Sequence, residues 1–173
     1  FGESGIGHTW LSNEKDSFLK PWPWYNAWCG DIDVCGFKKP QSYYRDVVWR
    51  RSQIEMMVHT LLPDGVHENV SGWGWPDETQ SWNWPGREGK PMQVAVYSRC
   101  DSVRLELNSK VIGEKPVSAA TKLTAKFDVP YQSGELSAIG LINGKEVAKT
   151  ALKAAGAPKE IRLTADRSTI RAD

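Results

Sequence analysis

The chain reads as a mainly β protein, an antiparallel β-sandwich of immunoglobulin type preceded by a loop-rich segment that carries one α-helix. Three observations point there. Five short runs with approximate alternation of apolar and polar residues crowd into about sixty residues of the second half. No helical periodicity separates them, so the strands they form must pair antiparallel. All nine Trp residues fall at or before Trp84, which gives the two halves different textures.

Taken in order, residues 1–36 are loop-like and dense in Gly, Pro and Trp. Pro40 suits the first turn of a helix. Tyr43, Tyr44, Val47 and Val48 then recur at helical spacing, which predicts about three turns running through Arg51. "IEMMVHTLL" (54–62) predicts a linking strand, and residues 63–90 a long irregular connection. Connections of that length are uncommon in compact domains and usually serve a function or an interface. Within it "GWGWPDE" and "SWNWPGRE" echo each other, but two copies are too few for a repeat array. Strands are predicted over 92–98, 103–107, 122–129, 135–142 and 145–152. "LNSKVI" and "INGKEV" signal hairpins, and Asn143-Gly144 is a pair favoured in type I′ turns. The closing "PKEIRLTADRSTIRAD" starts a strand whose Leu163 and Ile170 need a core that residues 165–173 cannot supply, so it reads as the first strand of another domain. The expected boundaries are 1–53, 54–154 and 155–173.

Charge and apolar runs restrict the function classes. With 22 basic and 21 acidic residues the net charge is +1, which argues against electrostatic capture of nucleic acid. No apolar run approaches the roughly 20 residues of a membrane span. "FGESGIGHTW" resembles neither a signal peptide nor an initiator region, so the chain is expected to be cut from a longer one. Cys29, Cys35 and Cys100 are expected as buried apolar thiols. A Cys29–Cys35 disulfide is a weaker alternative, and a metal site weaker still, because no second Cys or His pair completes one.

Glycosidases commonly use two carboxyl groups about 5–5.5 Å or about 6.5–9.5 Å apart. Asp31 and Asp33 sit one residue apart, but nothing nearby would drive their pKa values in opposite directions. They are expected to cap a turn. Glu3 lies among glycines in "GESGIG", where backbone could approach a ligand, although a loop tip is the plainer expectation. His8, His59 and His67 show no spacing for a metal or a triad. "PWPWYNAW" and the two Trp-Pro loops concentrate rigid apolar surface. Most of these rings are expected to pack between domains, with one or two at a sugar pocket, whose apolar faces flat aromatics suit.

Four stretches, "WCGDIDVCGFKKPQSYYRDVVW", "VHTLLPDGV", "VSGWGWPDETQSWNWPGREGKPMQVAVYS" and "VRLELNSKVIGEKPV", together resemble bacterial β-galactosidases of glycoside hydrolase family 2. The resemblance implies that residues 1–53 are the end of a (β/α)8 barrel, with "FGESGIG" after its eighth strand and "GFKKPQSYYRDVVW" as its last helix. Residues 54–154 would be the sandwich that follows, and 155–173 the opening of the next. It also implies that both catalytic glutamates lie upstream of Phe1, so this chain would hold no catalytic residue and be inactive alone. Glu3 would lie at the carboxyl end of the eighth barrel strand, the face on which barrel enzymes build their sites. With His8, Trp10, Trp22 and Trp24 it forms the candidate substrate-binding set. No metal and no cofactor are implied. The implied partners are a carbohydrate substrate of the parent enzyme and its own upstream barrel, with a homodimer left open; the implied location is periplasmic or secreted. The family usually places Asn-Gly at the first hairpin, where this chain has Asn108-Ser109. A carbohydrate-binding module that uses the Trp loops, and a parent specific for β-glucuronides or β-mannosides, are the competing readings.

Overall fold

A computed structural model describes residues 9–13, 30–33, 35–70, 74–156, 159–164 and 167. Two four-stranded antiparallel sheets carry the fold. The first runs β4 (Glu78–Thr79), β2 (Ile54–His59), β5 (Pro91–Ser98), β8 (Thr124–Pro130). The second runs β10 (Lys145–Lys153), β9 (Glu135–Ile142), β6 (Ser102–Leu107), β7 (Lys110–Pro116). Setting β4 and the edge strand β7 aside, β2-β5-β8 against β10-β9-β6 is the A-B-E against G-F-C order of immunoglobulin-type sandwiches. A separate ribbon pairs β1 (Thr9–Ser12) with β3 (His67–Val70), and the helix α1 spans Pro40–Val48. The expected mainly β architecture with one short helix is thus the one observed among the described residues.

The core lies between the sheets, and period-two alternation decides which residues enter it. Ile54, Met56 and Val58 of β2 and Met92, Val94 and Val96 of β5 point inward. They meet Val103, Leu105 and Leu107 of β6 and Leu136 and Ala138 of β9. Trp82 is fully buried in the same core, its indole Nε1 donating to the Gln132 carbonyl at 3.0 Å. Each such side chain contributes about 1.5–3 kcal/mol by leaving water. The alternate residues Met57, Ala95 and Tyr97 face the other way, yet they too are buried, because Val47 of α1, with Tyr43, Tyr44 and Trp75, covers them. Over residues 94–98 β5 is therefore a central strand with both faces dry, which explains the apolar run there.

Local chemistry explains where elements stop. Pro40 sits in the first turn of α1. The helix ends at Val48, short of the expected Arg51, because Arg50 takes the left-handed conformation at φ 62°. Lys122 and Leu123 also have positive φ and form a turn, so β8 starts at Thr124 and not at 122. Both hairpins have positive φ at each central residue: Asn108 (51°) with Ser109 (65°), and Asn143 (50°) with Gly144 (72°). That is the type I′ pattern. Three strands fall where a loop was expected. β1 lies in the Gly/Trp-rich start, and β3 and β4 lie within 63–90. They are four, four and two residues long, too short to show alternation.

Asp31 and Asp33 brace the approach to α1. Asp33 Oδ1 accepts from the backbone N–H of Cys35 (2.8 Å) and Phe37 (2.9 Å), which is the turn-capping use expected of it. Asp31 pairs with Arg45, and its carbonyl accepts from the Lys39 N–H at 2.8 Å. Cys100 is buried against Gly140, where a Cβ would stand 2.6 Å from its sulfur. Cys35, in contrast, is free and exposed, because the Asp33 turn holds it at the surface; the expected burial applies to Cys100 only. Cys29 lies outside the described residues. Residues 159–164 form no strand, and Ile161 and Leu163 are each 91% exposed.

Candidate functional site

Of the candidate substrate-binding set, Glu3, His8, Trp22 and Trp24 lie outside the described residues. Trp10 is placed by its backbone, in β1 opposite Asn69 of β3. The question for the described chain is what holds that ribbon in position.

A polar network at one edge of the first sheet does so. His59 is the last residue of β2 and pairs with Glu78 of β4. Its side chain lies off the core face because Val58 before it points in. His59 Nε2 is 2.9 Å from Glu68 Oε2, in β3. The second oxygen, Glu68 Oε1, accepts the backbone N–H of Asp77 at 2.6 Å. One carboxylate from the ribbon thus grips both the end of β2 and the turn into β4. The hydrogen bond to Glu68 raises the His59 pKa above its ordinary value, against the burial of the ring. Burial works against the charge of Glu68, but its bonds to His59 and the Asp77 N–H outweigh that and hold it below the ordinary carboxylate value. The two shifts agree in favouring the ion pair.

The neighbouring carboxyls are of another kind. Burial raises the pKa of Asp77, whose backbone carbonyl also accepts the Thr60 N–H at 2.8 Å. Burial likewise raises Glu78, which is only 5% exposed. Its Oε2 accepts from the Tyr97 hydroxyl and from Trp75 Nε1 (3.2 Å). The Tyr97 hydroxyl is itself raised, first by burial and then by the Glu78 charge. Tyr44 closes this side with its ring 5.1 Å from Trp75 and 5.3 Å from Tyr97. Glu78 therefore has donors on it and aromatic rings around it, so no substrate can reach it as a general acid. The network fastens α1, the ribbon and the sheet edge to one another. Among the described residues, no group of three or more His, Cys, Asp or Glu side chains could hold a metal ion. None of their helices is long and apolar enough to cross a membrane.

Sequence reasoning passed over this cluster. His59 and Glu68 stand nine residues apart and match no ligand or triad spacing; they meet because β3 lies against the end of β2. Among the described residues, Trp75, Trp82 and Trp84 of the long connection pack against the sandwich. Besides Trp82, Trp84 donates through Nε1 to the Ser81 carbonyl at 3.2 Å, and its backbone N–H meets the Tyr131 hydroxyl at 3.1 Å.

Comparison with known proteins places this architecture among carbohydrate-active enzymes. The family model that matches, over residues 89–148, is described as a domain of unknown function, DUF4982. A protein of Formosa agariphila provisionally named a β-glucuronidase is 29% identical over 95% of this chain. The β-galactosidase BoGH2A of Bacteroides ovatus is 31% identical over 88% of it. A crystal structure of a glycosyl hydrolase family 2 member from Bacteroides cellulosilyticus superposes with a TM-score of 0.68, at 37% identity over 81% of the chain. The chain spans 13% and 15% of the lengths of the two named relatives and 19% of the crystallised one.

Proposed function

From a chain homologous to a segment of glycoside hydrolase family 2 enzymes, we propose that it is a non-catalytic portion of a retaining β-galactosidase that removes terminal β-galactosides. In this proposal residues 1–53 complete a catalytic barrel, 54–154 form the sandwich that supports it, and 155–173 open a further sandwich. The whole protein works in the periplasm or outside the cell, as the resemblance implies. The observation that carries the reading is the Glu68 grip on His59 and Asp77. It fastens β3, and through β3 the strand β1, to the sandwich. β1 directly follows the segment that the resemblance assigns to the end of the eighth barrel strand, where sugar would bind. The sandwich would then set the position of Trp10 and limit its wandering, which matters because small displacements of positioning groups cost large factors in rate.

A β-glucuronidase parent is the second reading, favoured by the Formosa relative, which matches over nearly the whole chain. Hydrolysis of aryl β-galactoside, β-glucuronide and β-mannoside by the whole protein decides between them. The 173-residue chain alone should hydrolyse none of the three above background, since a retaining mechanism needs two carboxyls flanking the glycosidic bond. Turnover by the chain that survives repurification and disappears in Glu3→Gln would overturn the proposal.

A further inference from the structure

At the end of the sandwich opposite the ribbon's polar network, the turn between α1 and β2, the turn between β5 and β6 and the end of β9 border an open cavity of about 390 Å3 lined by Arg50, Ser52, Gln53, Arg99, Cys100 and Ile142. Its volume falls within the range of about 300–1,000 Å3 of small-molecule sites, at the small end. The lining holds two guanidinium groups and no carboxylate. Arg50 has no ion-pair partner among the described residues, and Arg99 uses Nη1 for the Val48 carbonyl at 3.2 Å. Arg50 reaches the cavity from a left-handed backbone position at φ 62°, where Gly or Asn is the usual occupant. The nearest acids in sequence are engaged elsewhere: Asp46 with Lys38, and Asp101 with the Asn143 N–H at 2.8 Å. Trp49, next to Arg50 in the chain, is 62% exposed, unlike the packed Trp82 of the core.

We propose that this cavity binds a small sugar acid, with Arg50 and Arg99 taking its carboxylate and the ring resting against apolar surface. Guanidinium matches a carboxylate through two parallel N–H donors and holds its charge at every physiological pH. Ser52 and Gln53 supply neutral polar groups to ring hydroxyls, and Ile142 supplies apolar contact. The carboxylate part rests on the arginines; the sugar part rests on the proposed glycosidase function. In that setting the site would hold an acidic glycan or a released sugar acid on the sandwich, away from the barrel.

Calorimetric titration of the chain with glucuronate, glucose and inorganic sulfate tests it. Saturable 1:1 binding of glucuronate is expected, with glucose, which carries CH2OH in place of the carboxylate, weaker by about tenfold or more. Arg50→Gln and Arg99→Gln should each weaken glucuronate by a similar factor, while Arg51→Gln, outside the cavity, should leave it unchanged. Arg50→Gln is the decisive variant, because that side chain bonds no other side chain or backbone group among the described residues; a thermal melt checks that both variants stay folded. Absence of saturable glucuronate binding, equal affinity for glucose, or an equal loss in Arg51→Gln overturns the site. Sulfate as tight as glucuronate overturns the sugar-acid assignment. Aryl glycoside hydrolysis by the whole protein is measured in parallel: turnover without glucuronate binding removes this inference alone, and binding without turnover removes the proposed function alone.

Discussion

Tyr97→Phe removes one hydroxyl and nothing else from the outer face of the first sheet. Tyr97 is 3% exposed and its ring packs with Tyr44 and Trp75, so Phe keeps the volume and the edge contacts. What is lost is one of the two donors to Glu78 Oε2, leaving Trp75 Nε1 alone on a carboxylate that is 5% exposed. A hydrogen bond to a charged group contributes about 1.5–3 kcal/mol, and a buried carboxylate that loses a donor bears the cost of its desolvation. The expected loss of unfolding free energy at pH 8 is therefore about 2 kcal/mol. Its pH dependence follows from the raised Glu78 pKa. A group whose folded pKa lies above its unfolded value adds stability that is full below the unfolded value and lost as pH rises through the folded one. Protonation thus relieves the buried charge, and the deficit of Tyr97→Phe should shrink as pH falls from 8 towards 4.5. Urea titrations followed by Trp fluorescence at both ends of that range measure it. In a Glu78→Gln background the same change should cost only about 0.5–1.5 kcal/mol, the contribution of a neutral hydrogen bond. A deficit below about 0.5 kcal/mol at pH 8, or one that grows towards acid, would refute the account of Glu78 as a buried, donor-dependent carboxylate.

Two further outcomes are expected. Ser109→Gly should raise the urea midpoint by the equivalent of about 1 kcal/mol, since Ser109 holds φ 65° in a type I′ turn and Gly adopts that conformation freely; Asn108 must stay, because its side chain donates to Ser133 and accepts from the Glu135 N–H. His59→Ala should lower amide protection in β3 roughly 10–100-fold while sparing β9. In the wild-type chain that protection should be greatest between the ordinary pKa values of the pair, 4.5 and 6.5. It declines as pH rises through the raised His59 value or falls through the lowered Glu68 value.

The sandwich could be read from the sequence because its strands are long enough to declare themselves. β8 and β9 run seven and eight residues with inward Ala125, Phe127, Val129 and Leu136, and Asn143-Gly144 names its own turn. The helix was legible for the same reason: Tyr43, Tyr44 and Val47 mark one face, and that face is the one packed on the sheet. The short strands were not legible, since four residues or fewer cannot show a period and their pairing is with segments distant in sequence. β1 finds β3 across more than fifty residues, a partnership that no local pattern encodes. The His59–Glu68 pair was not legible for the same reason, since it joins β2 to the ribbon. Local sequence determines propensity, patterning and turn chemistry, and these chose a sandwich with one helix. Whether a charged side chain is a tether, a sealed carboxyl or a free cation depends on which surfaces exclude water around it. Glu68, Glu78 and Arg50 differ in this respect only because packing desolvates Glu78 under three aromatic rings, sets Glu68 against His59 and leaves Arg50 lining an open cavity. Such environments are built by residues of different elements, some nine or nineteen positions apart and some farther, and only the tertiary structure assembles them.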